Sequence, residues 1–239
     1  MIRKIGVAAL LGLMATGAFA SIAGAQCGTG PSIILSTATF GIEGPAAVTP
    51  PYVSTAGNQL IMVGLVQSFC APFADLNASD PGTEYTLVVT GLISGGTTHP
   101  IPNLYATSYT GGTFTIYQGS PRNAPTSAGA APAAVWPTVP SEYTDGGAIA
   151  ILSGTLSGYN VTMQSNGAGG YAANATFTGG TLYSRVAGTG PVIMQGAMCA
   201  VSGCLPPAGG YSAQFDGKFD TPVTPNLKST WGTLKLLYR

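Results

Sequence analysis

Charge is what this chain has least of. Only 7% of its 239 residues are charged, against about 25% in an average soluble domain. Eight Lys and Arg are matched by eight Asp and Glu. Nucleic-acid binding needs clustered basic side chains to replace phosphate counterions, so that class is excluded at the outset. There is a single histidine, His99, which leaves most acid–base and metal constellations without material. It stands in Thr97-Thr98-His99-Pro100, a turn-like setting that suits a solvated loop histidine, and no serine lies in a Gly-x-Ser-x-Gly elbow, so a Ser-His-Asp site has no visible frame. Sustained helical periodicity is missing as well. What remains is a chain rich in glycine, threonine and alternating apolar residues.

The N-terminus carries the three parts of a secretory signal peptide: Arg3 and Lys4, an apolar stretch from Ile5 to Ala20, and the small residues Ala23-Gly24-Ala25. The stretch is short for a bilayer-spanning helix, and Gln26 before Cys27 is not the small residue that a lipidation site requires. Residues 1–25 therefore read as a signal peptide and 26–239 as a single exported domain, without a transmembrane segment in the mature chain. Removing the leader leaves six basic residues against eight acidic ones, a net charge of −2. A surface so nearly neutral permits self-association. Cys27, Cys70, Cys199 and Cys204 all lie in the exported part, an even count that favours two disulfides over metal ligation in an oxidising compartment. Three pairings are open. Cys27–Cys70 with Cys199–Cys204 is favoured, because only Ala-Val-Ser-Gly separates the last two.

Alternation of period two recurs between clusters of Gly, Pro, Ser and Asn. Tyr85, Leu87 and Val89 share a face, as do Phe114 and Ile116, then Tyr159, Val161 and Met163, then Ala173, Ala175 and Phe177. Leu60 to Val66 and Ile149 to Leu152 are apolar on both sides, as in a strand covered on both faces or in a subunit contact. Trp231 to Tyr238 is again strand-like. About ten short strands with Thr-rich wet faces predict an all-β, two-layer antiparallel sandwich of jelly-roll or Greek-key type. Residues 119–140, with five prolines among Ala, Ser and Thr, predict a long loop, and loops of this length are usually functional or mobile. Trp136 within it is a candidate ligand contact, set against the plainer reading that it caps a core edge. Tyr109 to Phe114 and Phe177 to Leu182 share an aromatic-Thr-Gly-Gly-Thr-apolar pattern, and each Gly-Gly is expected to make a sharp bend that starts a strand.

The carboxylates are Glu43, Asp75, Asp80, Glu84, Glu142, Asp145, Asp216 and Asp220. A glycosidase needs only two of them at the right separation, yet most lie beside Gly or Pro, where Asp serves turns. Asp216 and Asp220, in Phe215-Asp216-Gly217-Lys218-Phe219-Asp220, are a weak candidate pair for Ca²⁺, an ion that wants six to eight oxygens. An Asp-Gly hairpin turn is the preferred reading. No catalytic set and no other cofactor is indicated. Asn77, Asn160 and Asn174 match glycosylation acceptors and read as coincidence in a Thr-rich chain.

Four strings follow one another in order: Gly112 to Tyr117; Tyr143-Thr144-Asp145-Gly146 leading into Leu152 to Leu156; Phe177 to Leu182; and Phe215 to Lys218. Over roughly residues 83–220 this order resembles the secreted bacterial choice-of-anchor proteins of the Pro-Glu-Pro (PEP-CTERM) sorting type. Members of that family often end in a sorting tail of Pro-Glu-Pro, an apolar helix and basic residues. Leu234 to Arg239 shows no such tail. The resemblance implies an exported β-domain and supplies no catalytic residues.

The expected function is that of a non-catalytic extracellular or cell-surface protein, with the periplasm as another destination. Its role would be structural, in matrix, adhesion or self-assembly, and its partners would be copies of itself or surface components. One form of assembly would lend Ser32 to Phe40, or the C-terminal strand, to a neighbour's sheet edge. A second reading is a carbohydrate-binding or glycan-processing sandwich, using some of the eleven Tyr and two Trp. A third, weaker one is an outer-membrane barrel.

Overall fold

The computed structural model describes residues 32–125, 134–144, 147–200 and 210–220. Its eight strands are β1 (Ser32–Gly44), β2 (Gln59–Phe69), β3 (Glu84–Ile101), β4 (Leu104–Gly119), β5 (Ile149–Gln164), β6 (Ala168–Gly179), β7 (Val192–Ala200) and β8 (Ala213–Asp220). Each pairs antiparallel with the next, and β8 pairs with β1, so the sheet closes into an up-and-down barrel. This overturns the expected two-layer sandwich of about ten strands with jelly-roll or Greek-key crossings. The all-β class stands, but there is one closed sheet and no second layer.

The reason lies in strand length. β3, β4 and β5 run 18, 16 and 16 residues, where a strand of five or six is usual. The first Gly-Gly, read as a sharp bend that starts a strand, lies inside β4. Gly111 and Gly112 sit within β4 at φ +71° and +108°, and Gly91 sits within β3 at +75°. Leu92, next to Gly91, pairs with Gly111. These positive φ values suit glycine alone, and they bend the two strands together, as sheet closure requires. Gly179 closes β6, so the second Gly-Gly ends a strand where the sequence predicted that it would begin one.

The faces that share a period in the sequence point inward. Leu87 and Val89, Phe114 and Ile116, Tyr159 with Val161 and Met163, and Ala173 with Ala175 and Phe177 join one buried cluster. Phe114 packs on Phe177 and Phe219 with ring centroids 5.4 and 5.0 Å apart. Each such side chain contributes about 1.5–3 kcal/mol by leaving water. The outer faces of β5 and β6 are uncharged and polar: Thr155, Ser157, Asn160 and Thr162 of β5, and Asn174, Thr176 and Thr178 of β6, are exposed. This polarity is the reverse of a membrane-spanning barrel, whose outside is apolar and whose lumen is polar.

A second cluster lies outside the barrel. Phe40 and Ile42 of β1, Ile61, Val63 and Leu65 of β2, and Val88 of β3 are covered by Ala124, Ala134, Tyr143 and Tyr211, with Trp136 and Val139 against them. The described parts of the long loop thus form a strap over β1–β3, which explains why Leu60 to Val66 is apolar on both faces. In Ile149 to Leu152, Ile151 and Leu152 are buried while Ile149 is 55% exposed, so this chain does not cover both faces of that segment. β1 is hydrogen-bonded to β2 on one side and β8 on the other, so Ile33 to Leu35 and Thr39 to Phe40 are paired along both edges within this barrel. Trp231 to Tyr238 lies outside the described residues.

Candidate functional site

Two assemblies of polar groups stand out, one inside the barrel and one on its outer wall. The inner one is built on Glu43. Strand alternation in β1 sends Phe40 and Ile42 outward under the strap and leaves Glu43 facing in, where it is 7% exposed. The β1–β2 connection brings Tyr52, Ser54 and Asn58 to it. Tyr52 and Tyr109 donate their hydroxyls to Glu43 Oε2 at 2.6 and 2.8 Å. Ser54 donates to Oε1, as does the Asn58 amide at 3.2 Å. Four donors fill the lone pairs of a carboxylate. The Ser54 and Ser94 hydroxyls lie 2.6 Å apart, which extends the network to β3. Burial, then the nearby Glu43 charge, pushes the Tyr109 hydroxyl far above its ordinary range, and burial does the same to Tyr52. These phenols are held as hydrogen-bond donors. The arrangement is saturated and serves to fasten the β1–β2 connection to the barrel.

Glu84, at the start of β3, has a similar task. It is 2% exposed and accepts the backbone N–H groups of Asn123 and Ala124 at 3.2 and 3.0 Å, anchoring the strap where it leaves β4. Asp75 forms an ion pair with Arg185, whose hydrogen bond holds the Asp75 carboxyl below its usual range. Asp80 accepts the N–H of Gly82 at 2.8 Å, the turn role its sequence setting implies. Asp145 lies outside the described residues.

The outer assembly is a groove of about 850 Å³. Its position follows from a defect in β1: between Leu35 and Thr39 the register slips against both β2 and β8. Ser36 to Ala38 therefore bulge out of the sheet. The bulge is braced internally, since Ser36 Oγ accepts the Ala38 N–H at 3.1 Å and the Thr39 hydroxyl donates to the Ser36 carbonyl at 2.8 Å. The Gln214 amide donates to the Thr37 carbonyl at 2.6 Å. Beside this wall the outward positions of β6 and β7 are small, namely Gly170, Ala172 and Ala197, and leave a hollow. Asn160 and Thr162 of β5, Gln195 of β7 and Gln67 of β2 supply amides and a hydroxyl around it.

Tyr171 also lines the groove. Its ring stacks on Tyr159 with centroids 5.7 Å apart. Its hydroxyl is buried and has no hydrogen-bond partner among the described residues. Gly217 covers that hydroxyl: at φ +145° a methyl on its Cα would stand 2.6 Å from it and 2.2 Å from the Gln195 carbonyl. Burial, then the Asp216 charge, raises the Tyr171 hydroxyl far above its ordinary range.

The residues singled out in the sequence are dispersed. Asp216 and Gly217 lie inside β8, not in a hairpin turn. Asp216 accepts the Ala197 N–H at 2.8 Å, and Asp220 forms an ion pair with Lys218. The two carboxylates thus serve different partners. Among the described residues no group of three or more His, Cys, Asp and Glu side chains comes together. Trp136 lies flat against Gly44, where a Cβ would meet its ring at 2.7 Å, and joins the outer cluster as an edge cap. His99 is in the outer half of β3 rather than in a turn, with its ring 4.3 Å from that of Tyr105. Cys70 and Cys199 are buried and disulfide-bonded, whereas Cys27 and Cys204 lie outside the described residues.

Sequence reasoning missed both assemblies. A signal for Glu43 exists, because the alternation Phe40, Ile42 against Gly41, Glu43 puts a carboxylate on a face that is otherwise apolar. The groove leaves only a faint trace in the small outward residues of β6 and β7. No known protein family, curated protein or solved structure matches the chain.

Proposed function

We propose that the protein is an exported, non-catalytic barrel of the extracellular space or cell surface that acts through its outer face, in a structural, matrix, adhesion or self-assembly role. The observation that carries this reading is the distribution of polarity: a barrel packed with apolar side chains, its β5 and β6 faces dressed outside with uncharged Thr, Ser and Asn. Of the three buried carboxylates among the described residues, Glu43 and Glu84 spend their hydrogen bonds on fastening loops and Asp220 is paired with Lys218. Export rests on the leader at residues 1–25 and accords with four cysteines in the exported part, read as two bridges. The likeness to choice-of-anchor proteins belongs to the same proposal. The same polarity argues against an outer-membrane barrel, because burying Thr, Asn and Gln side chains in lipid without partners costs free energy at every turn of the wall.

Expression of the full chain followed by fractionation tests the reading. A mature product beginning at Gln26 should appear outside the cytoplasm and leave the membrane pellet on an alkaline carbonate wash. A product that stays in the cytosol with free thiols, or that remains in washed membranes, contradicts it.

A further inference from the structure

We propose that the outer groove crossing β5 to β1 binds a neutral glycan chain. This deepens the surface-acting reading and rests on it, while the argument comes from the groove's own residues. The groove follows register partners across neighbouring strands: Asn160 pairs with Ala172, Tyr171 with Gly196, Gln195 with Lys218 and Leu35 with Gly217. Five strands at about 4.8 Å spacing span about 20 Å measured along the sheet, which is oligosaccharide length.

Its direction and its charge each remove a competing occupant. An extended peptide docks by adding to a free sheet edge, but every strand here is paired on both sides and the groove runs across them. A polyanion or polycation needs a field of one sign. The two charged groups in the lining are Asp216 and Lys218, one of each sign; the first accepts a backbone N–H and the second is paired with Asp220. The remaining polar groups are the amides of Gln67, Asn160 and Gln195 and the hydroxyls of Ser36, Thr37 and Thr162. Such groups both donate and accept, as sugar hydroxyls do. Ile34, Ala172 and Ala197 offer the aliphatic contact that a sugar's C–H faces need.

Calorimetric titration of the mature, disulfide-intact chain with cellohexaose, maltohexaose and laminarihexaose, and with polygalacturonate as the charged control, tests this. At least one neutral hexasaccharide should bind with a Kd of about a millimolar or tighter. Ala172→Trp, which fills the groove, should weaken that binding more than about tenfold, whereas Thr176→Trp, exposed on the same strand but outside the groove, should leave it unchanged. Gln195→Ala, which removes an exposed amide from the lining, should weaken it about tenfold. Should Ala172→Trp fail to fold, Gln195→Ala alone decides. Silence with all three neutral sugars, a preference for polygalacturonate, equal losses in the two Trp variants, or unchanged binding in Gln195→Ala would overturn the proposal. A chain that is exported yet ignores every glycan ends this inference alone; one that binds glycan but remains cytosolic ends the surface reading alone.

Discussion

Glu43 is a carboxylate in an apolar barrel, with no cation among its hydrogen-bond partners. It is kept there by two phenols, a serine and an amide. Removing the acceptor strands four donors at once, and each unsatisfied buried group costs about 1–3 kcal/mol. Glu43→Ala should therefore lower stability by about 4 kcal/mol in urea unfolding, while Tyr52→Phe, which deletes one donor, should cost about 1 kcal/mol. Equal losses would mean that the network is not centred on Glu43. The tyrosines give a pH signature at the same scale. Tyr52, Tyr109, Tyr143, Tyr159, Tyr171 and Tyr211 are all raised above the ordinary value of 10.0, burial being the first cause in each, and Tyr211 is pushed up to about 12. The native chain holds phenolic protons that the unfolded chain releases above its own value, so it binds more protons and stability falls as pH rises. That contribution is complete below pH 10 and is lost on the way to pH 12 and beyond. Phenolate absorbance and circular dichroism followed together should show these tyrosines titrating only as the fold is lost. Stepwise titration of all of them from pH 10 in an intact fold would contradict their burial. Little of this was legible in the sequence. Asp80 could be read from its neighbours because its partner is two residues away, whereas the partners of Glu43 lie 9 to 66 residues distant.

Among the elements, the strap decides what the outer face of β1–β3 is. Val63 points away from the barrel interior and is still fully buried, because Tyr143 and its neighbours cover the β1–β3 face. Thr155 of β5, also outward, is exposed. Val63→Asp should cost more than about 3 kcal/mol through an unpaired buried charge, and Thr155→Asp should stay within about 0.5 kcal/mol. Similar effects at both sites would remove the strap from its place. Strand faces were readable because alternation is a local property, and Tyr159, Val161 and Met163 point where their period says. Strand lengths were not. Gly111 and Gly112 look like a sharp bend before a strand in the sequence, but they lie inside β4 at positive φ and keep its register with β3 and β5. Trp136 was readable only as a choice between ligand contact and core cap, and the choice depends on Gly44, 92 residues away.

At the scale of the molecule, eight strands in simple sequence order make a wall without a free edge, and closure depends on β8 meeting β1. No periodicity announces that contact, because the two strands stand at opposite ends of the described chain and either a sandwich or a barrel buries the same inward faces. Closure also determines what is left for function. Among the described residues, with the edges paired and the interior filled, the outer wall and its groove are surfaces open to a partner. Amide hydrogen exchange, read strand by strand on the protein in detergent-free buffer, tests this most directly. Protection of β1 and β8 comparable to that of β4 and β5 is the predicted result; rapid exchange confined to β1 and β8, or a protein that needs detergent to stay in solution, would contradict the closed, water-facing barrel.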